Sequence, residues 1–458
     1  MLYVKHVVNS LFLMIGTSAA YAASKPNIVF ILVDDLGYSD LNFIGYKDVV
    51  TPAIDGFAKE SMYFDNAYAA APVSSPTRAS ILTGKSPAEL KLTCHIPGMG
   101  MTKYLNKMNA SHKKHEAFFT DHLSPKEHTL GSLTKHAGYN TAFLGKWHLG
   151  GSGSIYTSNG IVNSLWDPEN YGFDINLGGC AYGQPASYFS PYKNGTLPDG
   201  KDKEFLTDRL GNEAINFIKK NNPTKTGKPF FLYLSYYAVH RPYQVPVDAV
   251  KNNKGNKYFA LIQKMDESIG KVLDALKVNH LTENTIVIFY SDNGGVYENP
   301  PLSGTKGSLL EGGIRVPLLV RWPNNIEANT TCNIPVTSED FYPTISDLIG
   351  SEVEPSTLPG RSIMPLLLGH QKEWSTRPIY WHFPHNRDDA TFSMGSAIRE
   401  GDWKLIYTYD NKEVNLFNLK DDIKESTDLS DKFPLKASQL LTELQQWKES
   451  VHAELPVK

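Results

Sequence analysis

The sequence contains little cysteine, no large excess of either charge and no long apolar run after its first residues. The three cysteines, Cys94, Cys180 and Cys332, lie far apart and fit no CxxC metal spacing, so at most one disulfide forms and one thiol is left over. A formal net charge of -3 provides no broad basic face for nucleic acid and no acidic tail. Partners must therefore be inferred from the residues of a site.

Residues 1–22 have the organisation of a signal peptide. Lys5 and His6 precede an apolar run over residues 7–15, and residues 20–22 follow with the small-x-small pattern that signal peptidase reads. The alternative is an N-terminal membrane anchor, but the apolar run is well short of the ~20 residues that span a bilayer. We therefore predict an exported protein with no membrane span.

Four segments share an apolar, β-branched or aromatic run of strand length that ends abruptly in polar residues and glycine. Continuous apolar runs are typical of strands buried on both faces of a mainly parallel sheet. Helical stretches alternate with them, which predicts an α/β fold with ligands beyond the carboxyl ends of the strands. The four segments are residues 27–37, 140–150, 229–242 and 284–295.

The pattern changes after about residue 370, where short strands with turns are followed by a helical stretch. That stretch sets Leu440, Leu441, Leu444, Trp447 and Val451 on one helical face. We therefore predict a catalytic domain over residues 24–370 and a C-terminal subdomain over residues 371–458, with an antiparallel sheet and a closing helix. Three long loops, residues 94–128, 151–203 and 293–308, are expected to cover a site.

Two carboxylate-rich pairs, Asp34-Asp35 and Asp292-Asn293, stand at the ends of predicted strands. Adjacent carboxylates at the end of a buried strand repel each other, whereas a hard divalent cation collects oxygen ligands from both strand ends. Helix capping or Asx-turn formation is the alternative for either pair alone. Two such pairs in one α/β chain favour a metal site.

Basic residues occupy the remaining predicted strand ends and loops: Lys146, His148, His240 and Lys306. A lone histidine is usually structural and a lone lysine is usually solvated. A metal together with lysine, arginine and histidine, however, is what binding a tetrahedral oxyanion and protonating its leaving group requires. The combination indicates sulfate or phosphate esters as substrates.

Six segments, in this order, resemble the type I sulfatase family of the alkaline-phosphatase-like superfamily. The family signature is Cys or Ser, any residue, Pro, any residue, Arg, and residues 74–78, SSPTR, fit it. The resemblance runs from about residue 26 to at least residue 368. It implies an α/β/α sandwich with a large mixed, mainly parallel sheet, and a four-stranded antiparallel sheet with a helix at the C-terminus. The segments are residues 34–40, 74–84, 138–150, 238–242, 291–295 and 304–317.

The resemblance implies that Ser74, and not Ser75, is oxidised after translation to formylglycine. The hydrated form is a geminal diol, whose first hydroxyl attacks sulfur and whose second expels sulfate by elimination. A plain N-cap is the alternative role for either serine. One Ca²⁺ ion would be bound by the residue 74 diol with Asp34, Asp35, Asp292 and Asn293.

The resemblance also implies roles for five basic residues. Arg78 and Lys146 would hold the diol, and His148 would take its proton in the elimination step. His240 and Lys306 would bind the sulfate, and one of the two would protonate the departing sugar oxygen. Serine at position 74 is matured in this family by a radical-SAM enzyme, which indicates a bacterial protein of the periplasm or cell surface.

The densest polar cluster outside these motifs is in residues 380–389. We expect His382, His385, Arg387 and Asp388 to bind sugar hydroxyls, because directional hydrogen bonds distinguish epimers. A solvated turn is the alternative. The predicted substrate is therefore a sulfated carbohydrate, with galactose or N-acetylgalactosamine sulfates as the first candidates.

Two other functions remain open at this point. A phosphodiesterase or phosphonate hydrolase of the same superfamily would share the metal ligands. The rates on matched sulfate and phosphate esters would distinguish it from a sulfatase. A non-catalytic binder of sulfated glycans would keep Ser74 unmodified, and the mass of the residue 74 peptide would distinguish it from a sulfatase.

Overall fold

The structure is a computed structural model that describes residues 25–45, 48–152, 164–351 and 358–457. The predicted signal peptide over residues 1–22 lies outside the described residues. Within the described part of the chain, no helix is long and apolar enough to cross a membrane. Cys94, Cys180 and Cys332 are all buried free thiols, so the one disulfide that the sequence allowed does not form.

The described residues form fourteen strands and twelve α-helices. The strands are β1 (Asn27–Val33), β2 (Met62–Phe64), β3 (Ala67–Tyr68), β4 (Asn140–Gly145), β5 (Ile175–Leu177), β6 (Phe230–Ser235), β7 (Thr285–Ser291), β8 (Leu318–Arg321), β9 (Thr330–Cys332), β10 (Val336–Thr337), β11 (Ile379–Phe383), β12 (Gly395–Glu400), β13 (Trp403–Thr408) and β14 (Val414–Asn418). The helices are α1 (Pro52–Lys59), α2 (Ser74–Thr83), α3 (Met101–Ser111), α4 (Leu130–His136), α5 (Leu206–Lys220), α6 (Pro223–Thr226), α7 (Val247–Asn252), α8 (Lys257–Val278), α9 (Glu311–Ile314), α10 (Phe341–Leu348), α11 (Met364–Leu367) and α12 (Pro434–Ser450).

The large sheet has eight strands in the order β5-β4-β6-β1-β7-β8-β2-β9. The first five strands in this order, β5, β4, β6, β1 and β7, are parallel to one another. Of the eight strands, only β8 runs antiparallel to its neighbours. The carboxyl ends of β4, β6, β1 and β7 therefore meet at one edge of the sheet. This mixed, mainly parallel α/β architecture confirms the fold predicted from the sequence.

Both faces of the sheet are covered, which explains the continuous apolar runs of its central strands. In β1, Val29 and Ile31 pack into a core with α5 and α8, whereas Ile28 and Phe30 pack into a core on the opposite face. All seven residues of β1 are buried. A strand that is buried on both faces has no polar face, so its sequence does not alternate.

The C-terminal sheet consists of β11 to β14 in sequential antiparallel order. One face packs against the large domain through Trp381 and Leu309, and the other packs against α12 through Leu440 and Leu444. The four-stranded sheet and closing helix were therefore predicted correctly. Val451, assigned to the helical face, follows the last residue of α12.

Candidate active site

The site lies at the carboxyl edge of the large sheet. Asp34 follows β1, Lys146 follows β4 and Asp292 follows β7, while Ser74 is the first residue of α2. The segment that carries His240 is attached to the same edge by backbone hydrogen bonds, in which Asp34 N donates to Ala238 O at 2.9 Å. The topology thus joins motifs that lie up to 271 residues apart in the chain, as Asp35 and Lys306 do.

Three buried carboxylates converge at this edge. Asp34, Asp35 and Asp292 each place a carboxylate oxygen within 4.8 Å of the others. Asn293 adds an amide group, whose Nδ2 donates to Asp35 Oδ1 at 2.9 Å. Three clustered carboxyl groups with an amide and a hydroxyl nearby form an all-oxygen donor set, which fits a hard cation such as Ca²⁺ and not a metal that prefers nitrogen or sulfur ligands.

The Ser74 hydroxyl faces this carboxylate cluster. Its Oγ lies 3.2 Å from Asp34 Oδ1 and 3.2 Å from Asn293 Oδ1, and Lys146 Nζ donates to it at 3.2 Å. Ser75 points elsewhere: its Oγ donates to His148 O at 3.0 Å and accepts from Ile96 N at 3.1 Å. Of the two adjacent serines, only Ser74 presents its oxygen to the polar centre.

Arg78 and Lys146 are cations buried against these carboxylates. Arg78 Nε donates to Asp292 Oδ2 at 2.8 Å, and Lys146 Nζ donates to Asp34 Oδ2 at 2.7 Å. The Arg78 guanidinium is also held by Ser235 Oγ at 2.7 Å. Because both cations are almost fully buried, their removal would leave unpaired charge in a low-dielectric site.

The surroundings of Asp34 and Asp35 shift the pKa values of these two carboxyls in opposite directions. Burial raises the pKa of Asp34 to about 8, although the neighbouring Lys146 acts to lower it. Burial also acts to raise the pKa of Asp35, but Lys306 and His240 beside it hold that pKa well below its usual range. Groups with such divergent pKa values are concentrated at functional sites.

His148 has a left-handed backbone conformation, with φ of 59°. Its Nε2 lies 3.0 Å from Ile96 O, and because a carbonyl oxygen only accepts, Nε2 carries the proton. Nδ1 is then an acceptor, and it is buried with no hydrogen-bond partner among the described residues. Burial lowers the pKa of His148 well below its usual value, so the ring is a neutral proton acceptor.

His240 and Lys306 approach the cluster from the solvent side, and both contact Asp35. Lys306 Nζ donates to Asp35 Oδ1 at 2.5 Å, and His240 Nε2 lies 3.6 Å from Asp35 Oδ2. The Lys306 loop is fixed by backbone hydrogen bonds, including Gly307 N to Pro72 O at 2.8 Å. Burial, with Lys306 and Lys146 nearby, lowers the pKa of His240 to about 3, although Asp35 acts to raise it.

A hollow of about 680 Å³ opens above Ser74. Ser74, His148, His240 and Lys306 form its floor and walls, and the remaining lining comes mostly from loops. Three loop residues, His95, Gln184 and Asp389, were not identified from the sequence, because no motif marks them and only the fold brings their loops together. The other lining residues are Ile96, Gly98, Met99, Gly183, Arg241, Val296, Thr305 and Arg387.

Two of the predicted sugar-binding residues are buried in the protein and do not line this hollow. His382 Nδ1 lies 2.7 Å from Ser396 Oγ and its Nε2 2.8 Å from Glu454 O. His385 lies 2.8 Å from Glu116 Oε2 through Nδ1 and 2.8 Å from Thr93 Oγ1 through Nε2. With both ring nitrogens of each histidine already bonded, we withdraw His382 and His385 from the sugar-binding set.

Arg387 and Asp388 are placed differently. Arg387 lines the hollow and lies over Gly307, where an added Cβ atom would come within 3.0 Å of its Nε. Its guanidinium forms two hydrogen bonds of 2.9 Å with Asp389. Asp388 is 78% exposed, pairs with His112 at 2.8 Å and does not line the hollow. The structure therefore brings only Arg387 of the four predicted residues to the hollow.

Comparison with known proteins gives consistent matches over most of the chain. The family model described as Sulfatase matches residues 26–351, and the one described as N-sulphoglucosamine sulphohydrolase, C-terminal, matches residues 305–452. A sulfatase of Formosa agariphila is 32% identical over 480 residues, which cover 89% of this chain and 85% of that protein. Human N-acetylgalactosamine-6-sulfatase is 29% identical, over 83% of this chain and 73% of that protein.

A solved structure has the same architecture. The crystal structure of Ps i-CgsB in complex with k-i-k-neocarrahexaose superposes with a TM-score of 0.77 and 31% identity, and the match covers 93% of each chain. The similarity therefore includes the C-terminal sheet as well as the large domain.

Proposed function

The chain belongs to the sulfatase family and is a sulfuric ester hydrolase, and we propose that it removes O-sulfate groups from a carbohydrate. The observation that carries this proposal is the surroundings of Ser74, whose hydroxyl lies 3.2 Å from a carboxylate, an amide oxygen and a lysine ammonium. We further propose that Ser74 is converted to formylglycine and that one Ca²⁺ ion is bound beside it.

The proposed ion would be held by Asp34, Asp35, Asp292 and Asn293 together with the oxygen at residue 74. The convergence of three buried carboxylates within 4.8 Å supports this assignment, because oxygen ligands gathered from two strand ends are the donor set that a hard divalent cation prefers. When bound, Ca²⁺ would supply positive charge to the oxygens of the sulfuryl group.

The residues around Ser74 fit the two halves of the proposed reaction. The hydrate of formylglycine would provide one hydroxyl to attack sulfur and a second through which sulfate is expelled. Lys146 donates to the oxygen at residue 74 and would keep it oriented, while Arg78 fixes Asp292 behind it. His148 has an unpartnered, unprotonated Nδ1 and would accept the proton of the second hydroxyl.

His240 and Lys306 would bind the transferred sulfate from the solvent side. Both face Asp35 at the opening of the hollow, so a leaving group that departs toward solvent passes them. The Lys306 ammonium already donates a hydrogen bond to Asp35, whereas burial lowers the pKa of His240 to about 3. We therefore favour Lys306 as the donor to the departing sugar oxygen.

A carbohydrate substrate is supported by the relatives and by the loops above the site. One relative is an N-acetylgalactosamine-6-sulfatase, and a similar structure holds k-i-k-neocarrahexaose, so sulfated galactose and N-acetylgalactosamine are the first candidates. Arg387, His95 and Gln184 line the upper hollow and supply hydrogen bonds for sugar hydroxyls. Asp388 remains a candidate only for a longer substrate that extends beyond the hollow.

We also propose export to the bacterial periplasm or cell surface and maturation by a serine-competent radical-SAM enzyme. Both rest on the sequence, through the pattern of residues 1–22 and the serine at position 74. The domain boundary between residues 370 and 371 is likewise a proposal, which limited proteolysis would test.

The function is tested by a desulfation screen on protein that is co-expressed with such a maturase. The panel contains 4-nitrophenyl sulfate and phosphate, monosulfated galactose and N-acetylgalactosamine, sulfated disaccharides and k-i-k-neocarrahexaose. We expect sulfate release from at least one carbohydrate and a strong preference for the sulfate over the phosphate ester. Faster turnover of the phosphate ester would favour the alternative of a phosphodiesterase or phosphonate hydrolase of the same superfamily over a sulfatase, and binding without turnover would favour a non-catalytic binder.

A further inference from the structure

Three tyrosines form a contiguous aromatic cluster beside the active-site hollow. The ring centroid of Tyr258 lies 4.8 Å from that of Tyr297 and 5.6 Å from that of Tyr243, and the latter two rings are 6.4 Å apart. Such distances are typical of packed aromatic rings. The three rings therefore pack as one cluster of fixed shape.

Two tyrosines of this cluster lie on the same chain segments as residues that line the active-site hollow. Arg241 and Val296 both line the hollow above Ser74, and Tyr243 and Tyr297 follow them by two residues and one residue in the sequence. A substrate chain that leaves the hollow between these two segments would next meet the tyrosine rings.

The cluster combines an exposed ring with a buried support. Tyr297 is 51% exposed, whereas Tyr258 is 4% exposed and anchors the cluster through a hydrogen bond from its hydroxyl to Asp40. An aromatic ring held rigidly at the surface loses little conformational entropy on binding, so it is an effective contact for the apolar face of a ligand.

Two of the three rings, those of Tyr258 and Tyr297, line a second hollow of about 520 Å³, whose lining is aromatic and acidic. An exposed carboxylate, Glu298, and an exposed amide, Asn256, are among the lining residues, and no lysine or arginine of the described part of the chain lines it. An aromatic lining with a few hydrogen-bonding groups suits a sugar ring, which has an apolar C–H face and hydroxyl groups at its edge. The carboxylates would repel a sulfated or carboxylated residue. The lining residues are Asp40, Asn256, Tyr258, Phe259, Tyr297 and Glu298.

We propose that this second hollow is a subsite for an uncharged sugar residue adjoining the sulfated one. Its ring stacks on Tyr297, and its hydroxyls donate to Glu298. This inference rests on the proposed function, since it requires a sulfated glycan in the first hollow. It makes the substrate an oligosaccharide or polysaccharide in which the target sulfate is next to a neutral sugar, rather than a free monosaccharide sulfate.

The test compares wild-type enzyme with Tyr297→Ala, Tyr297→Phe and the control Phe433→Ala. Phe433 is a 38% exposed aromatic residue that packs on Trp403 in the C-terminal subdomain. The readout is kcat/KM for 4-nitrophenyl sulfate, monosulfated galactose and N-acetylgalactosamine, and sulfated oligosaccharides with either a neutral or a charged neighbouring sugar, including k-i-k-neocarrahexaose.

We expect wild type to prefer an oligosaccharide with a neutral neighbour over every monosaccharide. Tyr297→Ala should lower kcat/KM on that oligosaccharide about 10-fold more than on 4-nitrophenyl sulfate, a factor that corresponds to ~1.4 kcal/mol. Tyr297→Phe should retain most of the preference because the ring remains, and Phe433→Ala should behave as wild type.

Three results would overturn the subsite. These are equal losses on both substrates in Tyr297→Ala, a wild-type preference for monosaccharides or for charged neighbours, and failure of every oligosaccharide to react. Turnover of 4-nitrophenyl sulfate in the same assays separates these results from a failure of the proposed sulfatase chemistry, which would abolish that turnover as well.

Discussion

The Lys146 ammonium donates a hydrogen bond of 3.2 Å to the Ser74 hydroxyl from a position that is completely buried. The same Nζ atom lies 2.7 Å from Asp34 Oδ2, so one cation orients the oxygen at residue 74 and neutralises a carboxylate beside it. The lysine follows β4 and the serine opens α2, so their contact depends on the packing of that helix against the end of the sheet.

Lys146→Ala should lower kcat/KM on 4-nitrophenyl sulfate by about 100-fold or more, because a buried donor to the reacting oxygen is lost. Lys146→Arg should not restore activity, since the larger planar guanidinium does not fit a fully buried ammonium site. The matched control is Lys135→Ala, at a 53% exposed lysine that pairs with Asp174. Wild-type kinetics in Lys146→Ala would remove this lysine from the mechanism.

Calcium should stabilise the folded protein independently of turnover. An ion that binds only the native state at 100 times its Kd adds about 2.7 kcal/mol to the free energy of unfolding. We therefore expect Ca²⁺ to raise the Tm of chelator-treated wild type, and to raise it much less in Asp292→Asn. Asp274→Asn, at an exposed carboxylate of α8, is the control. An unchanged Tm in wild type across the calcium titration would count against the metal site.

The pair of Glu116 and His385 should make stability depend on pH. Burial acts to raise the pKa of Glu116, but the hydrogen bond from His385 and those from Asn386 lower it below its ordinary value of 4.5. A carboxyl with a lowered pKa stabilises the fold above its unfolded pKa, and this contribution is lost as pH falls through the folded pKa. Wild-type Tm should therefore drop as the pH decreases below 4.5.

Glu116→Gln should have a lower Tm at neutral pH and a smaller Tm change below pH 4.5 than wild type. Glu327→Gln, at an exposed side chain, should retain the wild-type profile. If Glu116→Gln and wild type lost stability in parallel on acidification, the Glu116 carboxyl would not be the source of the dependence.

Substitutions of Arg387 and His382 should have different effects, because the first residue is placed to bind sugar and the second supports the fold. Arg387 lines the hollow, so Arg387→Ala should reduce kcat/KM on the reactive glycan more than on 4-nitrophenyl sulfate. His382 is buried between Ser396 and Glu454, so His382→Ala should lower Tm and affect both substrates alike. A glycan-specific loss in His382→Ala would restore that histidine to the sugar-binding set.

The carboxylate cluster could be predicted because parallel strands align their carboxyl ends. Asp34 and Asp292 each follow a continuous apolar run, and their convergence needs only the sheet topology that those runs imply. The burial of His385 could not be predicted, because its partner Glu116 lies 269 residues away on a loop without a motif. Polar density along the chain, as in residues 380–389, does not distinguish a surface from a buried hydrogen-bond network. The sequence did not identify Tyr297 as a sugar-binding residue, because a tyrosine that follows a strand is as typical of a buried core as of a ligand-binding surface.

The proposed conversion of Ser74 to the formylglycine nucleophile is best tested by the mass of the peptide that contains residue 74, taken from enzyme with measured sulfatase activity. We expect this peptide to be about 2 Da lighter than the encoded serine peptide, as conversion to formylglycine requires. Ser75, whose hydroxyl is bonded to His148 O, should remain unmodified. Full activity from protein in which residue 74 is entirely unmodified serine would show that formylglycine is not the nucleophile.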